Sequence, residues 1–423
     1  MFRLANLNYK KIAFNNQNLQ FIGLFPCLIL LLYFSIISTI LGTFVLNLTL
    51  IAFDIIFLIF FMKNKKKIQF NVNYKIFLGI IIIFLLNIVL SENTLYSLKT
   101  FFNLIKNFVF LIGCYVVFKI DNRVFVKFIN LILIIFILIG CDVIFQYFTG
   151  KDFFGYEKSP VSYGRLSGPF GDELIVGSFL SKIIFIATLF FLINFKNKYY
   201  DIIFILIGTL VIFLSKERSA SIMTVLAMFL YVFFRIKNLK IKILSNVTIF
   251  SIILLAVMFI PDNSKRLKII YHQDYTFFDT QWGAHFLTAI EIFKKNPLLG
   301  SGLRTFRYEC KKEYTKNIPS KSVNSRCATH PHNFYFEILS ELGISGFILF
   351  LFFLFKILKK ILLYSKQSFE DKNLIISICL LFLFFWPIKT TGSIFASWNS
   401  YFYILALIII FYQTNFLNSK IND

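Results

Sequence analysis

His330 and His332 flank a proline in the stretch Cys327-Ala328-Thr329-His330-Pro331-His332-Asn333, at the end of the chain's longest polar segment. An apolar run from Phe334 to Phe350, marked by Gly343 and Gly346, follows directly. Imidazole titrates nearest to neutral pH, so a histidine here can take a proton from an attacking hydroxyl. Pro331 keeps His330 out of a helix and Asn333 can cap the one that begins there, which puts His332 at a helix N-terminus. Free amide groups and the positive end of the helix dipole make that place attractive to an anion such as a diphosphate. A structural interfacial histidine is the plain alternative. A metal site is the other, but no His, Cys and carboxylate set has a recognised ligand spacing.

Other polar groups belong to the same reading. Glu337 and Glu341 share one face of the helix after the His pair, where a carboxylate is costly unless paired, and an arginine or lysine partner is expected. Gly343 and Gly346 recur one turn apart and let a neighbouring helix approach. Arg165 stands in the glycine-rich stretch Ser162-Tyr163-Gly164-Arg165-Leu166-Ser167-Gly168-Pro169-Phe170-Gly171, and Arg218 in Ser215-Lys216-Glu217-Arg218-Ser219 at the mouth of an apolar run. A guanidinium fork binds phosphate oxygens bidentately, while either arginine alone could simply snorkel. Trp282 to Lys295 reads as an amphipathic helix with Phe286, Ala289, Ile290 and Phe293 on its apolar face. Asn296-Pro297-Leu298-Leu299-Gly300-Ser301-Gly302 ends it with a turn in which the backbone can approach a ligand closely. Cys310 and Cys327 are the two of six cysteines outside the apolar runs. A disulfide between them would close 16 intervening residues, worth about 3 kcal/mol by loop-closure entropy. Cys27, Cys114, Cys141 and Cys379 fall within apolar runs and read as packing residues.

The elements that must position these groups are hydrophobic spans. The chain is 58% hydrophobic and 19% aromatic, and apolar runs near 20 residues recur along it. The reading is an all-α polytopic membrane protein with about twelve transmembrane helices and one large periplasmic loop containing short helices. Spans fall near 20–40, 44–62, 76–91, 100–118, 128–148, 173–195, 201–215, 219–234, 243–260, 334–358, 374–388 and 398–414. The formal charge of +23 comes in short clusters between runs rather than one stripe, so it reads as topogenic and not as nucleic-acid binding. Basic residues concentrate in alternate connectors, with Arg3, Lys10 and Lys11, then Lys66 and Lys67, then Lys119, Arg123 and Lys127, then Lys196 and Lys198, then Arg235, Lys237, Lys240 and Lys242, and then Lys359, Lys360, Lys366 and Lys372, which places these connectors and both termini in the cytoplasm. Residues 261–332 then lie outside. The chain divides into N-terminal spans (1–160), central spans with arginine-bearing outer connectors (161–260), the periplasmic loop (261–332) and C-terminal spans (333–423). No internal repeat is visible.

His332-Asn333, nine residues, then Gly343-Ile344-Ser345-Gly346 fits the pattern His-(Asn/Ser/Gln)-x9-Gly-x-x-(Gly/Thr/Tyr), and in this the chain resembles the O-antigen ligases of the O-antigen ligase and polymerase superfamily. The likeness extends over roughly 160–400, through Arg165-Leu166-Ser167-Gly168, Arg218 and Asn296–Gly302. It departs at Ile222, where the family often has leucine. It departs again near the start of the amphipathic helix, where Gln281, Trp282 and His285 stand in place of an arginine, leaving Arg266, Arg304 and Arg307 as candidates for that phosphate contact. The resemblance implies transfer of a glycan from undecaprenyl diphosphate to lipid A-core, at the periplasmic face of a bacterial inner membrane, with no ATP, metal or other cofactor. It makes His332 the base or acceptor-orienting residue, Arg218 the chief diphosphate contact with Arg165 and Arg304 in support, and Asn333, Gly343 and Gly346 structural. O-antigen polymerase and protein O-oligosaccharyltransferase are the near alternatives. A lipid-linked oligosaccharide flippase is more distant, because apart from Lys106, Asp142 and Lys182 the spans are nearly bare of charge.

Overall fold

The computed structural model describes residues 23–65, 68–69, 74–160, 164–195, 199–259, 276–367, 372–417 and 420–421. Arg3, Lys10, Lys11, Lys66, Lys67, Ser162, Tyr163, Lys196, Lys198 and Arg266 lie outside the described residues. Each apolar run read from the sequence is a helix. They are α1 (Leu24–Leu41), α2 (Thr43–Asn64), α3 (Tyr74–Leu90), α4 (Thr94–Ile120), α5 (Asn122–Thr149), α6 (Val176–Asn194), α7 (Tyr200–Leu214), α8 (Arg218–Arg235) and α9 (Leu239–Phe259). After the long polar segment, with its helices α10 (Gln281–Lys295) and α11 (Phe306–Glu309), come α12 (Phe334–Gln367), α13 (Lys372–Phe385) and α14 (Ser397–Thr414). Among the described residues seven helices are long and apolar enough to cross a membrane, and three shorter apolar ones accompany them. Two two-residue strands, Ile68–Gln69 and Lys420–Ile421, pair antiparallel.

Apolar packing alone does not discriminate between helices in lipid, so the specific contacts are polar. Asn107 Nδ2 on α4 donates to Ser400 Oγ on α14 at 2.6 Å, and Asn103 Nδ2 donates to the Phe395 carbonyl at 3.2 Å. Arg235, read from the sequence as a topogenic charge, closes a buried pair with Asp201 at 2.7 Å, and Tyr231 donates to the same carboxylate at 2.5 Å. That pair ties the end of α8 to the start of α7.

The polar segment folds against the start of α12, where Phe336 packs on Ala289, Ile292 and Phe306. Thr280 caps α10, accepting from Gly283 N at 3.2 Å. The helix buries Ala284, His285, Thr288, Ala289 and Ile292, a face turned by about one residue from the one the apolar pattern marks. The reason is His285, whose polar ring faces inward rather than outward. Cys310 and Cys327 are joined, with Cα atoms 5.2 Å apart, and Cys310 packs with Ala289, Ile292 and Phe306. Cys114 and Cys379 are buried as packing residues, but Cys27 and Cys141 lie on the bundle surface.

Candidate functional site

Two glycine motifs far apart in sequence dock on each other. α12 is interrupted at Gly343, with φ 65° and ψ −167°, a conformation closed to most L-residues. Into the break comes the turn that follows α10. Pro297 cannot continue that helix, and Gly300 (φ 74°) and Gly302 (φ 116°) carry the chain back. Ile344 N donates to Pro297 O at 2.9 Å, Ser345 N to Leu298 O at 3.2 Å, Ser301 N to Ser340 O at 3.1 Å and Gly302 N to Glu341 O at 3.0 Å. A Cβ on Gly343 would lie 2.5 Å from Leu298 backbone atoms, and one on Gly300 would lie 2.3 Å from the Glu341 carbonyl carbon. Asn87 Nδ2 on α3 donates to both Leu299 O (2.5 Å) and Glu341 O (2.8 Å) and clamps the junction. The partner of Gly343 is therefore a loop backbone and not a neighbouring helix. The Asn296–Gly302 backbone makes its close approach to α12.

This junction presents the two carboxylates to backbone amides. Glu341 accepts from Arg304 N at 2.5 Å and Phe306 N at 3.0 Å, and Glu337 accepts from Ser393 Oγ at 2.5 Å and Ile394 N at 3.0 Å. Among the described residues neither forms the ion pair expected from the sequence, because amides from two turns already satisfy them. Arg304 has φ 62°, the conformation that brings its N–H to Glu341.

Asn333 caps α12, accepting from Tyr335 N at 2.9 Å and Phe336 N at 3.3 Å, while its amide donates to Pro387 O at 2.7 Å and Lys389 O at 3.1 Å. It thereby ties the His segment to the α13–α14 connector. Thr391 N donates to His332 O at 2.7 Å, and the backbone of His332 is held at φ 58°. His330 is engaged at both nitrogens, Nδ1 with Thr329 Oγ1 (2.9 Å) and Nε2 with Thr391 O (3.1 Å). The His332 ring lies 4.2 Å from that of His330, 5.1 Å from that of His285 in a stack, and 4.7 Å from the edge-on ring of Trp282, centroid to centroid. His285 is fully buried and neither of its nitrogens makes a hydrogen bond. Burial, with the other two histidines nearby, holds His332 neutral and brings its pKa down to about 3. Burial brings His330 to about 4 against the pull of Thr391, with His285, Arg304 and Arg307 pushing the same way as burial. Burial also lowers His285, opposed by the nearby Ser325 backbone, which stops short of hydrogen-bond geometry.

The cations gather from several elements. Arg218 is exposed at the first position of α8, and its neighbour Ser219 donates through Oγ to Thr390 O at 3.1 Å, next to the residue that holds His332. Arg165 is tied down instead. It donates to Leu174 O at 2.6 Å and pairs with Glu217 at 3.5 Å, and Glu217 also accepts from Gly177 N (2.8 Å) and Ser178 Oγ (2.7 Å). Lys182 on α6 donates to Asn399 Oδ1 at 2.8 Å and sits 4.1 Å over the Trp398 ring. Lys389 donates to Leu383 O, and burial beside Lys182 brings its pKa down to about 7. Arg304 and Arg307 both stand against the ring of Tyr96 at the start of α4.

Sequence reasoning passed over His285, Trp282, Tyr96, Lys182 and Lys389 as site residues. Lys182 carried a signal, a lysine inside an apolar span, which is rarely there without function. His285 and Trp282 carried one too, standing where the resembled family has an arginine. Tyr96 and Lys389 carried none, since each joins the site only through folding.

Residues 202–351 match a family model described as O-antigen ligase. The matched region runs from α7 into α12 and takes in Arg218, His285, Arg304, Arg307, His330 and His332, and leaves Arg165, Lys182 and Lys389 outside. No curated protein matches the chain. The match is a likeness to the O-antigen ligase family over that region, and the apolar helices are those of a multi-pass membrane protein.

Proposed function

We propose, with the O-antigen ligase pattern of residues 202–351 as premise, that the protein transfers a glycan from undecaprenyl diphosphate to a sugar hydroxyl of lipid A-core, at the periplasmic face of the inner membrane. The acceptor oxygen attacks the anomeric carbon. The carbon–oxygen bond to the diphosphate breaks, the lipid diphosphate leaves with the electron pair, and the hydroxyl proton passes to His332. The donor is already activated, so the protein must hold the leaving charge, orient the acceptor and accept one proton. Arg218 contacts the diphosphate at the head of α8. Arg165 acts through Glu217, and Lys182 and Lys389 lie near the α14 start. On this reading the twelve apolar helices all span the membrane, and residues 261–332 are periplasmic.

The observation that carries the reading is His332, a neutral imidazole whose nitrogens make no hydrogen bond among the described residues. Its backbone is pinned by Thr391 of the α13–α14 connector, which Asn333 and, beside Arg218, Ser219 also grip. A second reading, polymerisation onto another lipid-linked glycan, shares every step but the acceptor. The test is the lipopolysaccharide banding pattern after deletion of the gene and complementation with wild type or His332→Ala, with undecaprenyl-linked glycan measured in the same cells. Loss of all capped bands with lipid-linked polymer accumulating is the ligase outcome. Bands capped by a single repeat unit indicate a polymerase, and an unchanged pattern contradicts both.

A further inference from the structure

Among the described residues, three rings lie against that of His332, and they differ in what else can reach them. His285 is fully buried, His330 is half-buried with both nitrogens engaged, and Trp282 is 39% exposed. The Trp282 ring stands 4.7 Å from that of His332 and 6.0 Å from that of His285, nearly perpendicular to both at 81° and 75°. The histidine that takes the proton in the proposed reaction is thus flanked by an indole that a ligand can reach.

Around Trp282 lies an aromatic patch in a polar frame. Phe286 follows at i+4 on α10, stacks on Phe336 at the start of α12 (4.6 Å) and meets the exposed ring of Phe277 (5.4 Å). The backbone under Phe277 and Phe278 is pinned by hydroxyls. Thr276 and Asp279 form a capping box, Thr280 Oγ1 donates to Phe277 O at 2.7 Å, Ser320 Oγ to Phe278 O at 2.6 Å and Ser322 Oγ to Asp279 O at 2.6 Å. Placing so many polar groups in hydrocarbon is costly, so this surface suits an aqueous ligand better than lipid tails. A ligand with an apolar face and a polar rim matches it. A pyranose has that form, because its C–H groups carry slight positive charge and lie against the negative face of an aromatic ring while its hydroxyls point outward. The indole is rigid and loses little freedom on binding. Gln281 precedes Trp282 and Thr329 precedes His330; both are exposed and carry hydrogen-bonding groups for the hydroxyls.

We propose that Trp282 is the stacking surface for a pyranose ring of the acceptor and sets the attacked hydroxyl beside His332, as a substrate-positioning residue. That the sugar is the acceptor rests on the transferase reading above, in which His332 takes the acceptor's proton. That a sugar stacks on Trp282 does not.

The test combines binding and kinetics on the full chain in lipid nanodiscs. Core oligosaccharide freed of lipid A is titrated while tryptophan emission is recorded for wild type and Trp282→Tyr, so that the signal of Trp386 and Trp398, the other two tryptophans, is common to both. A saturable change is expected in wild type and should be at least about threefold smaller in Trp282→Tyr. In transfer, Trp282→Ala should raise the acceptor KM about tenfold and leave the donor KM within about twofold. Trp282→Tyr should restore most of the acceptor affinity, and Trp282→Leu, apolar but without a ring face, should not. A fall in kcat with acceptor KM unchanged would mean that Trp282 only packs against His332 and would overturn the proposal, as would a rise in donor KM alone. Emission that brominated lipid quenches through Trp282 and the oligosaccharide leaves unchanged would assign the ring to the bilayer and overturn it too. Wild type that binds the oligosaccharide through Trp282 yet transfers nothing would contradict the transferase reading and leave the stacking surface standing.

Discussion

Alanine at Gly343 tests how the two glycine motifs hold the site. The new methyl would sit 2.5 Å from the Leu298 carbonyl carbon and oxygen and 2.7 Å from Gly300 N, all backbone atoms that no rotamer change can move. The backbone at φ 65°, ψ −167° adds strain of roughly 1–3 kcal/mol for a residue with a Cβ. Relief requires the Pro297–Gly300 turn to withdraw. Losing even two of the four hydrogen bonds that cross the junction costs a further ~1–3 kcal/mol. The expected loss is about 2–6 kcal/mol, a large share of an ordinary net stability of about 5–15 kcal/mol. Thermal unfolding in mild detergent should show a fall of several degrees, and limited proteolysis should open the segment 296–333 before the rest. Gly300→Ala should do the same, and the double variant should cost less than the two singles together, since one junction is broken once. Gly79→Ala in α3, whose Cβ would meet nothing within 4 Å, is the control and should be neutral or slightly stabilising. Wild-type melting and proteolysis of Gly343→Ala would refute the docking argument.

Asn333→Ala removes two cap acceptances and two donated bonds, and should cost about 1–3 kcal/mol in thermal unfolding and misplace His332. Asn333→Asp, which keeps the cap, should recover part of the stability but less of the glycan transfer. Cys310→Ser or Cys327→Ser should lower stability by about 3 kcal/mol, and alkylation without reduction should label Cys27 and Cys141 first, with Cys310 and Cys327 reacting only after reduction. The three depressed histidines set an acid limb. Their folded pKa values lie below the unfolded value of about 6.5, so the unfolded chain binds more protons and stability falls as pH drops from about 6.5 towards 4. Each pH unit of separation is worth about 1.4 kcal/mol per histidine, and His332→Gln should flatten the unfolding profile. By the same shift kcat/KM should hold its plateau down to about pH 5, whereas an ordinary imidazole would lose activity near 6.5.

The helices were legible because lipid solvation writes itself as hydropathy, and every apolar run is a helix. The cap at Asn333 was legible too, being local chemistry within three residues. What escaped was long-range. Nothing near Gly343 says that a turn 43 residues earlier enters its helix, so its two glycines read as helix contacts. Glu337 and Glu341 read as needing a cation because their amide donors come from Ile394, Arg304 and Phe306, distant in sequence. The ion pair of Arg165 with Glu217 escaped too, because it forms only when the α5–α6 connector meets the α7–α8 turn. The face α10 buries differs from its apolar pattern: His285 turns inward and stacks on His332, while Ala289 and Ile292 pack with Phe306 and Cys310.

The central claim is that His332 takes the proton and Arg218 holds the leaving diphosphate. Its most direct test is single-turnover transfer of labelled glycan from undecaprenyl diphosphate to lipid A-core by purified wild type, His332→Ala and Arg218→Ala, each with its disulfide and melting temperature checked. Both variants should lose about two orders of magnitude or more in rate. Transfer by folded His332→Ala within a few-fold of wild type would contradict the account.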